Sequence, residues 1–439
     1  MKAKTRGLTP FLARLDGVVD AGQPDWAVAL RRSGLTVYRE EGLPHPKIEA
    51  WKYTRLDGLT RTAFEADVAA PGGLTVPDGR VAGMTEAHRL VFVNGRHNPE
   101  LSDDNLADNG IEIATLGAPE AAPGWVTERI GRVLDLDGMP LAALNAALWR
   151  DGAAIKVADG AQLQKPLHLI FLAAASTPAM FQARHLLIAG RGSRATVIES
   201  HVGQEGAPTF SNSVMEVVLE DAAVLDHAKL VDEATHSFHI AATALSLGQG
   251  ARYNGFVLTL GGRLVRNETR VHLAAEGAEC RLGGAYVAAG DAVVDNTVFV
   301  DHASPGAASR VTFKGVIDDT ARGVFQGKTL VRPQAQKSDG HQLHKALLLS
   351  PGAEIDAKPE LEIYADDVKC GHGATAAQLD EDMVFYFLAR GIPEASARRL
   401  LVEAFLGDVV GEIESPEIAD AMSSALARRL AEIRADHGA

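Results

Sequence analysis

The chain has 439 residues, 46% of them hydrophobic, and a formal net charge of −14. That length accommodates two or three domains with a sizeable core and argues against global disorder. An acidic balance without a dense Lys/Arg tract disfavours nucleic-acid binding, no apolar run approaches the ~18 residues of a membrane span, and two cysteines are too few for a disulfide framework.

The first residues, Met1 to Arg6, are basic, but no apolar signal region with a small-residue cleavage site follows, so a reducing cytoplasm is the expected home. Residues 8–40 read as helix: Phe11, Leu12, Leu15, Trp26, Ala27, Leu30 and Leu35 recur at helical spacing. Leu90 to Gly95 reads as a strand running into a turn, and residues 122–150 read as helix again. All four tryptophans lie before residue 150, a composition shift that places a boundary there.

From about residue 153 to 370 short β-branched runs alternate with Gly, Asp and Asn turns, as in Ala195 to Ile198, Val214 to Leu219 and Thr297 to Val300. A turn, small residues and a strand recur with anchors at Gly192, Asp221, Gly250, Gly277 and Gly306, which are 29, 29, 27 and 29 residues apart. Near-constant spacing points to a solenoid whose coils stack on a shared core, and a parallel β-helix is the natural architecture. A β-sandwich with regular hairpins is the alternative. The strict hexapeptide repeat of the left-handed β-helix acyltransferases is absent.

After Thr375 the pattern becomes helical. Asp380 to Arg390 carries Met383, Val384, Phe387 and Leu388 on one face, with Gly391 and Pro393 as stop signals. A second helix carries Ala397, Leu400, Leu401, Ala404 and Phe405. A third starts at the N-cap Ser415 with Pro416 at its first position and a stripe of Ile418, Met422, Ala425, Leu426 and Leu430. The expected domains are 1–150, helical or mixed; 151–372, the β-helix; and 373–439, helical. A tail this short has too little core to stand alone, so it should pack on the β-region or on a partner.

Two segments imitate nucleotide sites. Gly190 to Ala195 fits the dinucleotide fingerprint, but Thr196-Val197-Ile198 continues it as strand where a helix is required. Gly323 to Thr329 is one residue short of a P-loop and reads as a turn between strands. No bound nucleotide is expected. Fifteen histidines invite metal readings, but His236/His239 and His341/His344 are three apart and would point to opposite faces of an extended chain. His97, His201 and His302 read as surface or turn residues. HExxH, GxSxG and CxxC are all absent, so no complete catalytic constellation is present.

Cys280 reads as a small buried residue of a coil. Cys370 and His372 differ. At i and i+2 in extended chain they share a side, a soft sulfur and an imidazole can share iron or zinc, and Gly371 and Gly373 allow close approach. A tight turn with a half-buried thiol is the bland reading. Two ligands are half a tetrahedral site, so the remainder would come from elsewhere in the chain or from a second subunit.

The run from Pro359 through Tyr364-Ala365-Asp366-Asp367-Val368-Lys369-Cys370-Gly371-His372-Gly373-Ala374-Thr375 strongly resembles the signature of the SufB/SufD family, on its SufD side. This is a family of the Suf iron–sulfur cluster assembly system. The likeness extends through Leu379 to Asp382 and Phe385 to Ile392, and includes Pro46 to Thr54, Asn145 to Ala147 and Asp151-Gly152, spanning essentially the whole chain. The motif commonly has Ser where this chain has Gly371. The resemblance implies a right-handed parallel β-helix between two helical regions. It implies a non-catalytic scaffold pairing with SufB through the β-helices and with the ATPase SufC through the C-terminal helices. A transient iron–sulfur cluster would be shared at the SufB interface, with His372 as a ligand and Cys370 as a lesser candidate. Homodimerisation in isolation is a further expectation. The competing readings are a SufB-type cluster-bearing subunit and a polysaccharide-acting β-helix enzyme, for which Asp318-Asp319 and Asp366-Asp367 are the candidate carboxylates.

Overall fold

A computed structural model describes residues 22–66, 68–77, 80–82, 86–104 and 110–437, and in it the chain winds as a parallel β-solenoid between two helical regions. The first sheet runs in spatial order from β4 (Ile111–Thr115) and β5 (Ala153–Val157) through β7 (Ala179–Ala189), β9 (Thr209–Leu219) and β11 (Phe238–Leu247). It continues through β13 (Leu264–Leu273), β15 (Val293–His302) and β17 (Arg322–Val331) to β19 (Glu354–Ile363), with β1 (Glu65–Ala66) joining at β7. The second sheet runs from β3 (Arg96–His97) and β2 (His88–Val93) through β6 (Leu167–Ala173), β8 (Arg194–Gly203), β10 (Val224–Asp232) and β12 (Arg252–Thr259). Its remaining strands are β14 (Glu279–Ala288), β16 (Ala308–Ile317), β18 (Asp339–Leu348) and β20 (Lys369–Ala377).

The sequence repeat is the corner that feeds each second-sheet strand. Gly192, Gly250, Gly277 and Gly306 each sit two residues before β8, β12, β14 and β16 with φ between 62° and 69°. This is the left-handed region that glycine enters without a Cβ penalty. Before β10 the equivalent residue is Ala222, at φ 56°, so the structural anchor in that coil is Ala222 and not Asp221. Lys337, at φ 61°, continues the series before β18.

Alternation does the rest. Residues at even register positions of β18 (Gly340, Gln342, His344, Ala346) are buried on the lumen side, while His341 is exposed. Unbroken parallel pairing carries that phase from coil to coil. The lumen is mostly aliphatic and aromatic, with Val217, Leu245, Val271, Leu282, Phe313 and Phe325 among its buried residues.

The two outer faces receive different covers. The N-terminal region covers the first sheet. There α1 (Asp25–Glu41) packs on α4 (Pro140–Leu148), and Arg31 donates to Ala147 O and Trp149 O at 2.9 Å each. Asn145 ties α4 to the sheet by donating to Ala183 O (2.7 Å) and Asn212 O (3.0 Å). Between these helices lie α2 (Asp57–Arg61) and α3 (Gly124–Arg129). The helical signal over 8–40 is therefore met from Asp25 onward, and its first part lies outside the described residues. The signal over 122–150 resolves into two short helices, because Gly131 and Gly138 take positive φ between them. The second sheet is covered by α6 (Glu394–Val410) and α7 (Pro416–His437), whose Val402, Leu406, Val409 and Met422 pack on Leu230, Phe256 and Leu258. Gly323 to Thr329 lies inside the continuous strand β17, not in a turn, so the P-loop imitation is strand throughout.

Candidate functional site

The solenoid ends in antiparallel strands at one end and in parallel strands at the other. At the first end, β3 pairs antiparallel with β2 and β4 antiparallel with β5. At the last end, β19 pairs only with β17 and β20 only with β18 among the described residues. Free edges normally invite pairing by another chain, and natural edges are blunted by charge and proline. β19 is blunted in this way, by Lys358, Pro359, Glu360 and Glu362. β20 beyond Lys369 carries no Asp, Glu, Lys, Arg or Pro and is made largely of Gly, Ala and Thr around Cys370 and His372.

Pairing places Cys370 opposite Gly340 and His372 opposite Gln342. Those partners are lumen-facing, so Cys370 and His372 share the lumen side, as the i, i+2 argument requires. With no further coil on top, Cys370 is partly exposed and His372 exposed. Burial lifts the Cys370 thiol above its ordinary range. Gly371 and Gly373 lie in the other phase, beside His341 and Leu343 on the outer face. They thin the outside of the strand, so the close approach they allow is on the face opposite Cys370 and His372.

Beneath the open coil stand residues that sequence reading passed over. A Cβ built on Gly340 would lie at ordinary contact distance from His302 Nε2 (3.4 Å) and Cys370 Sγ (3.5 Å). His302 Nε2 lies 2.8 Å from Ser309 Oγ, and burial lowers this imidazole to about 4. Gln342 donates to Thr329 Oγ1 at 2.7 Å and Glu360 O at 3.1 Å. The signal that could have found them is register: Tyr253, Cys280, Ser309, Gly340 and Cys370 occupy one column.

Other expectations fare differently. His201 and His302 are buried strand residues and not surface or turn residues, and His97 is partly buried in β3. The strands face them into the interior, where stacking (His201 on Phe171, 4.5 Å between centroids) and hydrogen bonds hold them. His341 and His344 lie on opposite faces of β18, and His236 is exposed while His239 is buried. Cys280 is 2% exposed, as expected of a coil residue. Asp318 and Asp319 lie in the turn before β17.

The Pro46 to Thr54 segment is an anchor on the outer face of the first sheet. Trp51 stacks under the Arg266 guanidinium (4.1 Å), Thr54 and Arg266 both bond to Asp295, and Lys358 of β19 reaches Glu49 at 2.6 Å. At the other end, α5 (Glu381–Leu388) is N-capped by Asp380, which accepts from Asp382 N at 2.9 Å. Of its apolar residues only Val384 is buried. Phe385 is 70% exposed, and Met383, Tyr386 and Leu388 are exposed beside it. Of the face read from the sequence, Val384 is buried and Phe387 half-buried, while Met383 and Leu388 are exposed.

Residues 171–405 match the family described as SUF system FeS cluster assembly, SufBD core domain, and residues 11–169 match the SufBD protein N-terminal region. The chain belongs to the SufBD family. It is 34% identical to an iron–sulfur cluster assembly SufBD family protein of Synechocystis, over 84% of each chain. It is 30% identical to the iron–sulfur cluster assembly protein SufD of Escherichia coli, over 89% of this chain and 90% of the relative. A Bacillus subtilis protein of the same description is 23% identical over 93% and 95%. The chain is thus a SufD-like member of the SufBD family of iron–sulfur cluster assembly, with the parallel β-solenoid read from its repeat and the flanking helices read from apolar spacing. No helix among the described residues is long and apolar enough to cross a membrane.

Proposed function

We propose that this chain is a non-catalytic cytoplasmic scaffold subunit on which iron–sulfur clusters are assembled as cargo. In this reading β20 pairs with the matching edge of a SufB-type paralogue. Cys370 and His372, at the open lumen mouth, then supply part of a ligand set that the paralogue completes. His372 is the principal ligand and Cys370 the secondary one. The open coil carries the proposal, because its free β20 edge lacks the charge and proline that blunt β19, and its lumen-facing side chains stand uncovered. The exposed face of α5, with Met383, Phe385, Tyr386 and Leu388, supports docking of a SufC-type ATPase there. Nucleotide chemistry would then reside in that subunit, in keeping with the strand conformation of the P-loop-like segment Gly323 to Thr329 in this chain. The domain division at 150 and 372 belongs to the same reading, with the β-helix as pairing module and the C-terminal helices as docking module.

A cluster-bearing role for this chain alone would need more ligand sulfur. Cys280 is enclosed in the lumen, where burial drives its thiol far up, leaving Cys370 as the single reachable thiol.

The test is native mass measurement of the tagged chain co-expressed with its paralogue and ATPase, combined with His372→Ala in cells lacking other cluster pathways. A complex holding all three proteins, with His372→Ala preserving it while cluster maturation fails, is expected. A lone monomer under gentle conditions refutes the pairing, and unchanged maturation refutes the ligand assignment.

A further inference from the structure

A second group of possible ligands lies deep in the lumen, far from the open coil. His201 on β8, His239 on β11 and Glu233 at the corner after β10 each offer one ligand atom, and these atoms lie within 4.8 Å of one another. All three side chains are buried: His201 is 3% exposed, Glu233 4% and His239 0%. They come from both sheets and the corner between, so only the winding of the chain brings them together. Strand β8 stands six strands before β20 in its sheet.

The hydrogen bonds around the group are incomplete in a way that points to a missing occupant. Neither ring nitrogen of His239 has a hydrogen-bond partner, and its Nδ1 stands 3.4 Å from Glu233 Oε1, too long for one. Glu233 Oε1 accepts from Ser211 Oγ at 3.1 Å, and its Oε2 has no partner. Leaving buried polar atoms unpaired costs about 1–3 kcal/mol each, so several in one place call for an explanation. Orientation, by contrast, is well specified. Glu199 bonds His201 Nε2 and His227 Nε2, both at 2.8 Å, and His227 Nδ1 reaches Tyr253 Oη at 2.8 Å. A carboxylate behind an imidazole is the usual outer partner of a metal-bound histidine. Burial, with the charge of Lys229 second, disfavours the charged form of both His201 and His239. Lys229 is buried beside the group, where burial lowers its pKa against the pull of the neighbouring Glu199 and Glu233 side chains.

We propose that His201, Glu233 and His239 form an internal site for a first-row divalent transition ion, with Glu199 holding His201 from behind. Two imidazoles and one carboxylate form a borderline donor set that suits Zn2+ or Fe2+ and disfavours the hard Mg2+ and Ca2+. An ion in this place stitches the two sheets through the lumen. The site is independent of the ligand role given to Cys370 and His372.

The experiment uses the full chain carrying Cys370→Ser and His372→Ala, so that binding at the open coil is removed. Anaerobic equilibrium dialysis against Zn2+, Fe2+ and Mg2+ is followed by elemental analysis. One equivalent of Zn2+ or Fe2+ per chain is expected, with no retained Mg2+. Adding His239→Gln or Glu233→Gln should weaken binding at least tenfold, while circular dichroism confirms that the variants fold. Should His239→Gln fail to fold, Co2+ in the background protein provides the second readout: visible absorption and coupling to two imidazole nitrogens are expected. Binding below one tenth of an equivalent, binding unmoved by both lumen variants, or Co2+ without imidazole coupling overturns the proposal. Loss of cluster maturation with intact binding here would instead bear on Cys370 and His372.

Discussion

The two cysteines occupy the same column of the second sheet, three strands apart, yet live in different worlds. Cys280 pairs with Ser309, Ser309 with Gly340, and Gly340 with Cys370. In the middle of the solenoid the position is enclosed and its thiol inert. At the last coil the same position is partly exposed. Sequence context does not create the difference, since both residues follow a corner and begin a strand. The presence or absence of one more coil does. Burial in a solenoid comes from neighbours stacked above and below, so a terminal coil displays what internal coils hide.

The largest expected effect comes from the buried histidines of the closed lumen. Burial lowers His185, His302 and His344 to about 4 each, from the ordinary ~6.5 of an unfolded chain. Between pH 4 and 6.5 the unfolded state therefore binds more protons. Stability is fully present above about 6.5 and is lost as pH falls through that window, by up to about 3 kcal/mol per histidine. Denaturant midpoints from pH 7.5 to 4.5 should fall steeply, and His344→Gln should flatten that dependence.

Next comes a pair of leucines in one lumen column of the first sheet, where Leu245, Val271, Val300, Thr329 and Leu361 follow one another. Leu245 is 1% exposed, and Leu245→Ala should cost about 2–5 kcal/mol by transfer and cavity terms. Leu361 lacks a coil above it, and Leu361→Ala should cost less than about 1 kcal/mol. Equal losses in urea melts would show that the last coil is covered in solution, for example by a second copy.

Glycines give a smaller contrast. A methyl on Gly284 would run into the Phe313 ring, whereas on Gly373 it would meet Leu343 Cδ1 at an ordinary 3.4 Å. Gly284→Ala should destabilise by about 1–3 kcal/mol, and Gly373→Ala should change thermal stability by no more than about 0.5 kcal/mol. The smallest effect on stability, and the sharpest on chemistry, concerns the thiols. One cysteine per native chain should react with a thiol reagent, the second only on unfolding, and Cys370→Ser should abolish the native reaction. Two rapidly reacting thiols would break the comparison.

Much of the molecule was legible in the sequence. Left-handed corners at near-constant spacing need glycine or a tolerant substitute, so the solenoid left its period in the text at Gly192, Gly250, Gly277 and Gly306. Period-two alternation put Cys370 and His372 on one side, apolar spacing with stop signals located α5, and capping chemistry located the start of α7 at Ser415. These are local properties, fixed by backbone conformation within a few residues. What the sequence could not show was which residues become neighbours across coils. His201 and His302 looked like surface residues because their partners lie in other strands, and what the apolar face of α5 packs on stayed open because sequence periodicity cannot tell what covers a face. His201, Glu233 and His239 meet only after the chain has wound through two sheets and a corner. Local chemistry determined the coil, and stacking decided which side chains are enclosed, which are joined and which are left open at the end.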